Sequence, residues 1–222
     1  MPILQKETTK FLKQLDQNNN KTWFEQNRTA YEAAKSNFLE FNTGLIAGLQ
    51  KIDSTLGALE PKKTIFRINR DVRFSKDKSP YKNNMGTAMS KDGKSMMTAG
   101  YYFHLQPGNN SFAAIGSYMP SPEILQRIRQ EIDYNFDNFK KIISAASFKK
   151  YFNGFDEIEK LKTVPKGYTA DNPALEYLKH KSFVVSKNFT DKEVLAADFL
   201  TNLLKCYKAA YPLVLFLHHA EK

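Results

Sequence analysis

The chain is short of cysteine, short of acid relative to base, and without a long hydrophobic run. One cysteine in 222 residues, Cys206, excludes an internal disulfide framework and a zinc site built on thiolates. Its neighbours Leu203, Leu204 and Tyr207 mark it as a small buried filler. The longest apolar run, residues 209–217, is interrupted by Pro212 and falls far short of the ~20 residues that cross a bilayer. Lys6, Glu7 and Lys10 break up any apolar segment of an export signal. A reducing cytoplasm is the expected location, with no membrane partner. There is no internal repeat, low-complexity tract or Gly/Ser linker, so one domain over residues 1–222 is expected. Walker, G-x-G-x-x-G, G-x-S-x-G and H-E-x-x-H patterns are all missing. His180, His218 and His219 have no metal-ligand spacing with acids, and no residue pattern asks for a metal or cofactor. Ser75-Lys76-Asp77-Lys78 matches Ser-x-x-Lys in form only, because Pro80 and the surrounding turn signals deny it the helix that motif opens.

What the chain does have is an ordinary globular composition, 41% hydrophobic and 25% charged. Its 17 Phe and 11 Tyr predict an aromatic core. Phe11, Leu12 and Leu15 share one side of a helix over 8–15. Asn18, Asn19 and Asn20 then stop it and offer a cap to the next. Phe24, Tyr31, Ala34, Phe38, Phe41, Leu45 and Leu49 keep helical spacing over a long second helix, which Gly57 and Pro61 bring to an end.

Strand signals follow. Residues 65–74 alternate, with Phe66, Ile68, Val72 and Phe74 set against Arg67, Asn69, Asp71 and Arg73; Arg70 breaks the pattern. Residues 75–84 read as a polar turn. Met97, Ala99, Tyr101, Phe103 and Leu105 share a face opposite Thr98, Tyr102 and His104. Pro107-Gly108-Asn109-Asn110 then connects to a strand over 112–118. Ser121-Pro122 opens a helix, and another is expected over 136–143. Pro165-Lys166-Gly167-Tyr168 interrupts. A short helix over 174–178, a strand over 183–186, a Thr190/Glu193 capping box and a last helix that Pro212 kinks or restarts complete the chain. The fold class is α+β: one mainly antiparallel sheet flanked by N-terminal and C-terminal helices.

The formal charge is +10, which draws anions at long range. Between Lys62 and Lys82 stand eight basic residues and two acids, a net of +6. Arg67, Arg70, Arg73, Lys76, Lys78, Tyr81 and Lys82 are the candidate anion-binding residues, because guanidinium forks suit phosphate and carboxylate oxygens. The expected partner is an anionic small molecule or a nucleic acid, with Tyr81 and Tyr102 as stacking candidates for a single strand. Two other readings stay open. An enzyme acting on a small anion would use the arginines as a clamp and Asp71, Asp77 or His104 to move protons. A structural ion-pair ladder would need no ligand, and Asp71→Ala would then unfold the protein.

Two strings, Asn19-Asn20-Lys21-Thr22-Trp23-Phe24 and the segment from Arg67 through Arg70-Asp71-Val72-Arg73-Phe74-Ser75-Lys76-Asp77-Lys78-Ser79-Pro80-Tyr81-Lys82, resemble a family catalogued as a domain of unknown function (twenty-four sixty-one, in words). Pro165 to Tyr168, Pro173 and Lys181-Ser182-Phe183 are similar to its C-terminal part. The resemblance spans nearly the whole chain and implies one compact domain, with no established activity. Where relatives often carry a histidine, this chain has Asn172, so no role built on that histidine carries over.

Overall fold

A computed structural model describes residues 1–221. Helix α1 (Lys6–Gln17) buries Phe11, Leu12 and Leu15. The Asn20 side chain then accepts from the Trp23 amide and caps α2 (Lys21–Gln26). The expected long second helix breaks once, at Asn27, where the side-chain amide donates to the Trp23 carbonyl; α3 (Arg28–Gln50) continues from there. A 3-10 turn at Ser54–Leu56, capped by Asp53, and the short α4 (Pro61–Thr64) lead towards the sheet.

The sheet has four antiparallel strands in the order β1-β2-β3-β4. They are β1 (Met85–Ser90), β2 (Gly100–Leu105), β3 (Ser111–Ser117) and β4 (Phe183–Phe189). Between β3 and β4 run α5 (Pro122–Tyr134), α6 (Phe136–Ser144), α7 (Ala146–Lys149) and α8 (Leu175–Leu178). After β4 come α9 (Asp191–Val194), opened by the Thr190/Glu193 capping box, and α10 (Phe199–Ala220). Pro212 lies inside α10 without ending it. Among the described residues no helix is long and apolar enough to cross a membrane.

Alternation gives the sheet two faces of different character. Tyr101, Phe103, Leu105, Ala113, Ile115 and Val185 point inward and are fully buried. Phe103 meets Phe38, Phe41 and Phe199, and Tyr101 meets Tyr207 edge-on. Each side chain of this size contributes about 1.5–3 kcal/mol by leaving water. Tyr101 donates to the buried Asp53 carboxylate at 3.0 Å, so its hydroxyl is not orphaned in the core. Cys206 is wholly buried, and burial pushes its thiol up to about 12, which suits an inert filler.

Residues 65–74 are not a strand. Only Ile65, opposite Thr87, and Asn69, opposite Tyr81, make isolated bridges. Phe74 is 96% exposed and Phe66 38%, so the supposed inner row has only Ile68 truly buried. The chain instead folds back on itself as an irregular hairpin. Arg70 N–H to Pro80 O and Lys82 N–H to Ile68 O form its base, and Asn19 clasps the Tyr81 backbone; Arg70 pairs with Asp77 across the turn, while Arg73 pairs with its near neighbour Asp71. The third member of the meander is instead Met85–Ser90, every residue of which is buried. Met85, Thr87 and Met89 alternate with the small Gly86, Ala88 and Ser90, so no polar beat reveals the strand.

Candidate functional site

The outer face of the sheet carries small residues where its inner face carries aromatics. The register aligns Gly86, His104, Phe112 and Asn188 in one row. Ala88, Tyr102, Ala114 and Ser186 form the next, and Ser90, Gly100, Gly116 and Val184 the third. Among the described residues no helix lines the groove over these rows. Phe66 and the β1–β2 loop (Lys94, Ser95, Met96) rise on one side, and Tyr118, Asp156 and Ile158 on the other, enclosing a groove of about 690 Å³. That is within the ~300–1,000 Å³ range of small-molecule sites. Its floor is deep because Ala88, Ala114 and Gly116 give up the volume that larger side chains would fill.

The β1 end of the groove opens into a second depression lined by Phe66, Arg70, Asp71, Lys82, Tyr102 and His104 among others. Here the cations gather. The Lys82 ammonium lies 5.5 Å and that of Lys94 6.0 Å from the centre of the Phe66 ring. Arg67 adds its charge to the same place. Burial first, then the charges of Arg67 and Lys94, depress the Lys82 ammonium below its usual range. Among the described residues Arg67, Lys82 and Lys94 form no ion pair. Cation–π contact with Phe66 offsets part of the cost of holding them together.

Tyr102 and His104 stand at the junction of the two depressions. The Tyr102 hydroxyl is 2.9 Å from His104 Nδ1, and His104 Nε2 is 2.8 Å from Gln106 Oε1. With the amide oxygen accepting, Nε2 carries the proton and Nδ1 accepts from the phenol. Gly86 makes this possible, since a Cβ there would come within 2.6 Å of the Tyr102 hydroxyl. Burial pushes Tyr102 up to about 12. Burial also lowers His104, with the Gln106 bond acting against it and Lys82 adding to it.

The candidate residues read from the sequence divide into two groups. Arg70, Asp71, Lys82 and His104 line the depression at the mouth of the groove, and the exposed Arg67 acts on Lys82 and Asp71 by its charge, although His104 bonds Tyr102 and Gln106 rather than Asp71. Arg73, Lys76, Asp77 and Lys78 belong to the exposed hairpin. Arg73 binds Asp71, which holds that carboxyl below the usual carboxylate range. Asp77 is held low by Ser79 and then by Arg70. Lys78 Nζ donates to the Val72 carbonyl at 3.0 Å. Tyr81 is buried with its ring stacked on Phe24, centroids 3.9 Å apart, which makes it a core residue and no stacking platform. Asn19 grips the Tyr81 backbone from both sides, accepting from its N–H at 3.1 Å and donating to its carbonyl at 2.9 Å.

Lys94, Asp156 and Ser186 escape a reading of the sequence. Lys94 sits in a loop without pattern, and Asp156 lies far from the basic stretch in sequence. The one available signal is the run of small residues on alternate positions of β1 and β3.

A family model described as conserved hypothetical protein (DUF2461) matches residues 7–216. The chain belongs to this family. The matched span includes the whole groove, from Phe66 to Asn188, together with the two strings that meet at Asn19 and Tyr81. No curated protein matches the chain, and no solved structure does.

Proposed function

We propose that this protein binds a small amphipathic anion, its apolar body on the open sheet face and its phosphate or carboxylate between Arg67, Lys82 and Lys94. One observation carries this reading: Lys82, half-buried, has no ion pair among the described residues, Arg67 and Lys94 add their charges to it, and the carboxylate that shares its depression, Asp71, is taken by Arg73. A half-buried ammonium held near the like charges of the exposed Arg67 and Lys94 costs free energy, and an anionic ligand returns it. The enclosed groove favours a small molecule over a duplex, whose backbone would need an extended cationic surface.

The test is isothermal titration with phenyl phosphate, phenol and inorganic phosphate. Phenyl phosphate should bind more tightly than either fragment. Its affinity should fall with added salt, and about tenfold or more in Lys82→Met, the order expected for a charge-assisted contact. Equal binding by wild type and Lys82→Met would refute the assignment. A labelled single-stranded oligonucleotide that bound more tightly than phenyl phosphate, and equally needed Lys82, would move the reading to nucleic acid.

A further inference from the structure

The wall opposite the cations carries a carboxylate. Asp156 follows α7, and its backbone N–H donates to the Val184 carbonyl at 2.8 Å, fastening this segment along the edge of β4. One carboxylate oxygen, Oδ1, accepts from the Ser186 hydroxyl at 2.9 Å. Among the described residues Asp156 has no ion pair, and its side chain lines the groove. It is half-buried, and burial raises it above the usual carboxylate range, tempered by the Ser186 bonds. Ser186, through its hydroxyl and its backbone N–H, supplies the bonds to this carboxylate, and two oxygens with about four lone-pair sites keep accepting capacity at the groove wall.

The groove thus has opposite charges at its two ends. Lys82 and Lys94 stand on the β1 side, Asp156 beside Ser186 on the β4 side. Between them lie Ala88, Ala114 and Gly116 as floor and Phe66, Tyr102 and Val184 around it. β1 and β4 lie three gaps of about 4.8 Å apart, or ~14 Å, and Asp156 stands at the outer edge of β4. The complementary ligand has an anionic group at one end, a flat apolar middle, and N–H donors at the far edge. A fatty acid has no donor for Asp156. Inorganic phosphate has no body to cover the floor. A polynucleotide would have to run through the Asp156 wall.

We infer that the groove takes a nucleoside monophosphate laid across the strands, its phosphate at Arg67, Lys82 and Lys94 and the N–H edge of its base on Asp156. This rests on the anion-binding reading above and specifies it. A guanine base fits best, because its adjacent ring and exocyclic N–H groups form a fork that a carboxylate accepts. Adenine presents a ring nitrogen acceptor beside its amine and meets Asp156 with one bond at most.

Isothermal titration with guanosine monophosphate, adenosine monophosphate, guanosine and phenyl phosphate tests both levels at once. Wild type should bind guanosine monophosphate more tightly than phenyl phosphate, and about tenfold more tightly than adenosine monophosphate. Asp156→Asn should remove about that preference and leave phenyl phosphate unchanged, while Lys82→Met should weaken every phosphate. Ala114→Leu, which fills the floor of the groove, should weaken the nucleotides in a protein whose thermal unfolding confirms its fold. If phenyl phosphate binds through Lys82 but guanosine monophosphate gains nothing over it, or keeps its preference in Asp156→Asn, the nucleotide assignment falls and the anion site stands. If no phosphate binds, both fall.

Discussion

Gly116 occupies a position that no other residue can take. Its φ is 131°, and a Cβ there would lie 1.9 Å from the Phe183 carbonyl oxygen across the β3–β4 ladder. Both the backbone conformation and the close approach demand glycine. Gly116→Ala must therefore push β4 away, and we expect a loss of about 2 kcal/mol or more in urea unfolding. A change under ~0.5 kcal/mol, the scale of an ordinary surface substitution, would mean that the ladder yields where it is drawn as tight. The same residue forms part of the groove floor, so the missing side chain serves strand pairing and leaves the groove deep at once. Lys82 is the opposite case, a residue whose half-buried, cation-flanked setting costs the fold.

Among the elements, the hairpin between Ile68 and Lys82 shows which contacts hold it. Its ion pairs are exposed: Arg73 retains 76% of its side-chain surface and Asp77 59%. Such pairs are worth about 0–1 kcal/mol. Its junction with the helices is different in kind, with Tyr81 buried on Phe24 and clasped by Asn19. We expect Asn19→Ala to cost about 1–3 kcal/mol, the scale of a part-buried backbone donor and acceptor left unmatched, and Asp71→Ala less than ~1 kcal/mol. Urea unfolding of the two variants gives the order. The reverse order, or outright unfolding by Asp71→Ala, would restore the ion-pair staple. The clasp also explains why two strings some 60 residues apart stand out together: they are two halves of one joint. Much of the architecture was legible because it is local. Asn20, Ser121 and Thr190 announce their helices, and the alternation of Tyr101, Phe103 and Leu105 announces β2. The hairpin misled because charges that alternate along a strand look the same as charges that pair across a turn. β1 was hidden because small residues, Gly86, Ala88 and Ser90, stand where an outward polar row would be. The site was half legible for a related reason. Lys82 lies inside a conspicuous cationic run, whereas Lys94 and Asp156 reach the groove only through tertiary folding.

At the scale of the whole molecule, titration and topology both have consequences. His104 and His180 are each lowered chiefly by burial, so they stay neutral in the fold where the unfolded chain has begun to take up protons. Between their folded values and ~6.5 the unfolded state binds more protons, and stability falls as pH falls. Glu221 and Asp156, both raised by burial, oppose this lower down, because there the folded state is protonated first. Unfolding free energy should therefore drop from about pH 7 to about pH 5.5, and the drop should shrink in the His104→Gln/His180→Gln double variant. An unchanged drop would assign the effect to other groups. The strand order bears on synthesis. β1, β2 and β3 are neighbours in sequence, but β4 begins at Phe183, 66 positions after β3 ends at Ser117. At ~5–20 residues per second on the ribosome, the free edge of β3 waits roughly 3–13 s for its partner. Throughout that interval the nascent chain presents an unpaired strand to its neighbours. A ribosome stalled within α5–α8 therefore leaves a sticky half-sheet, and this stretch of the message is where slow codons or a missing chaperone would do most harm.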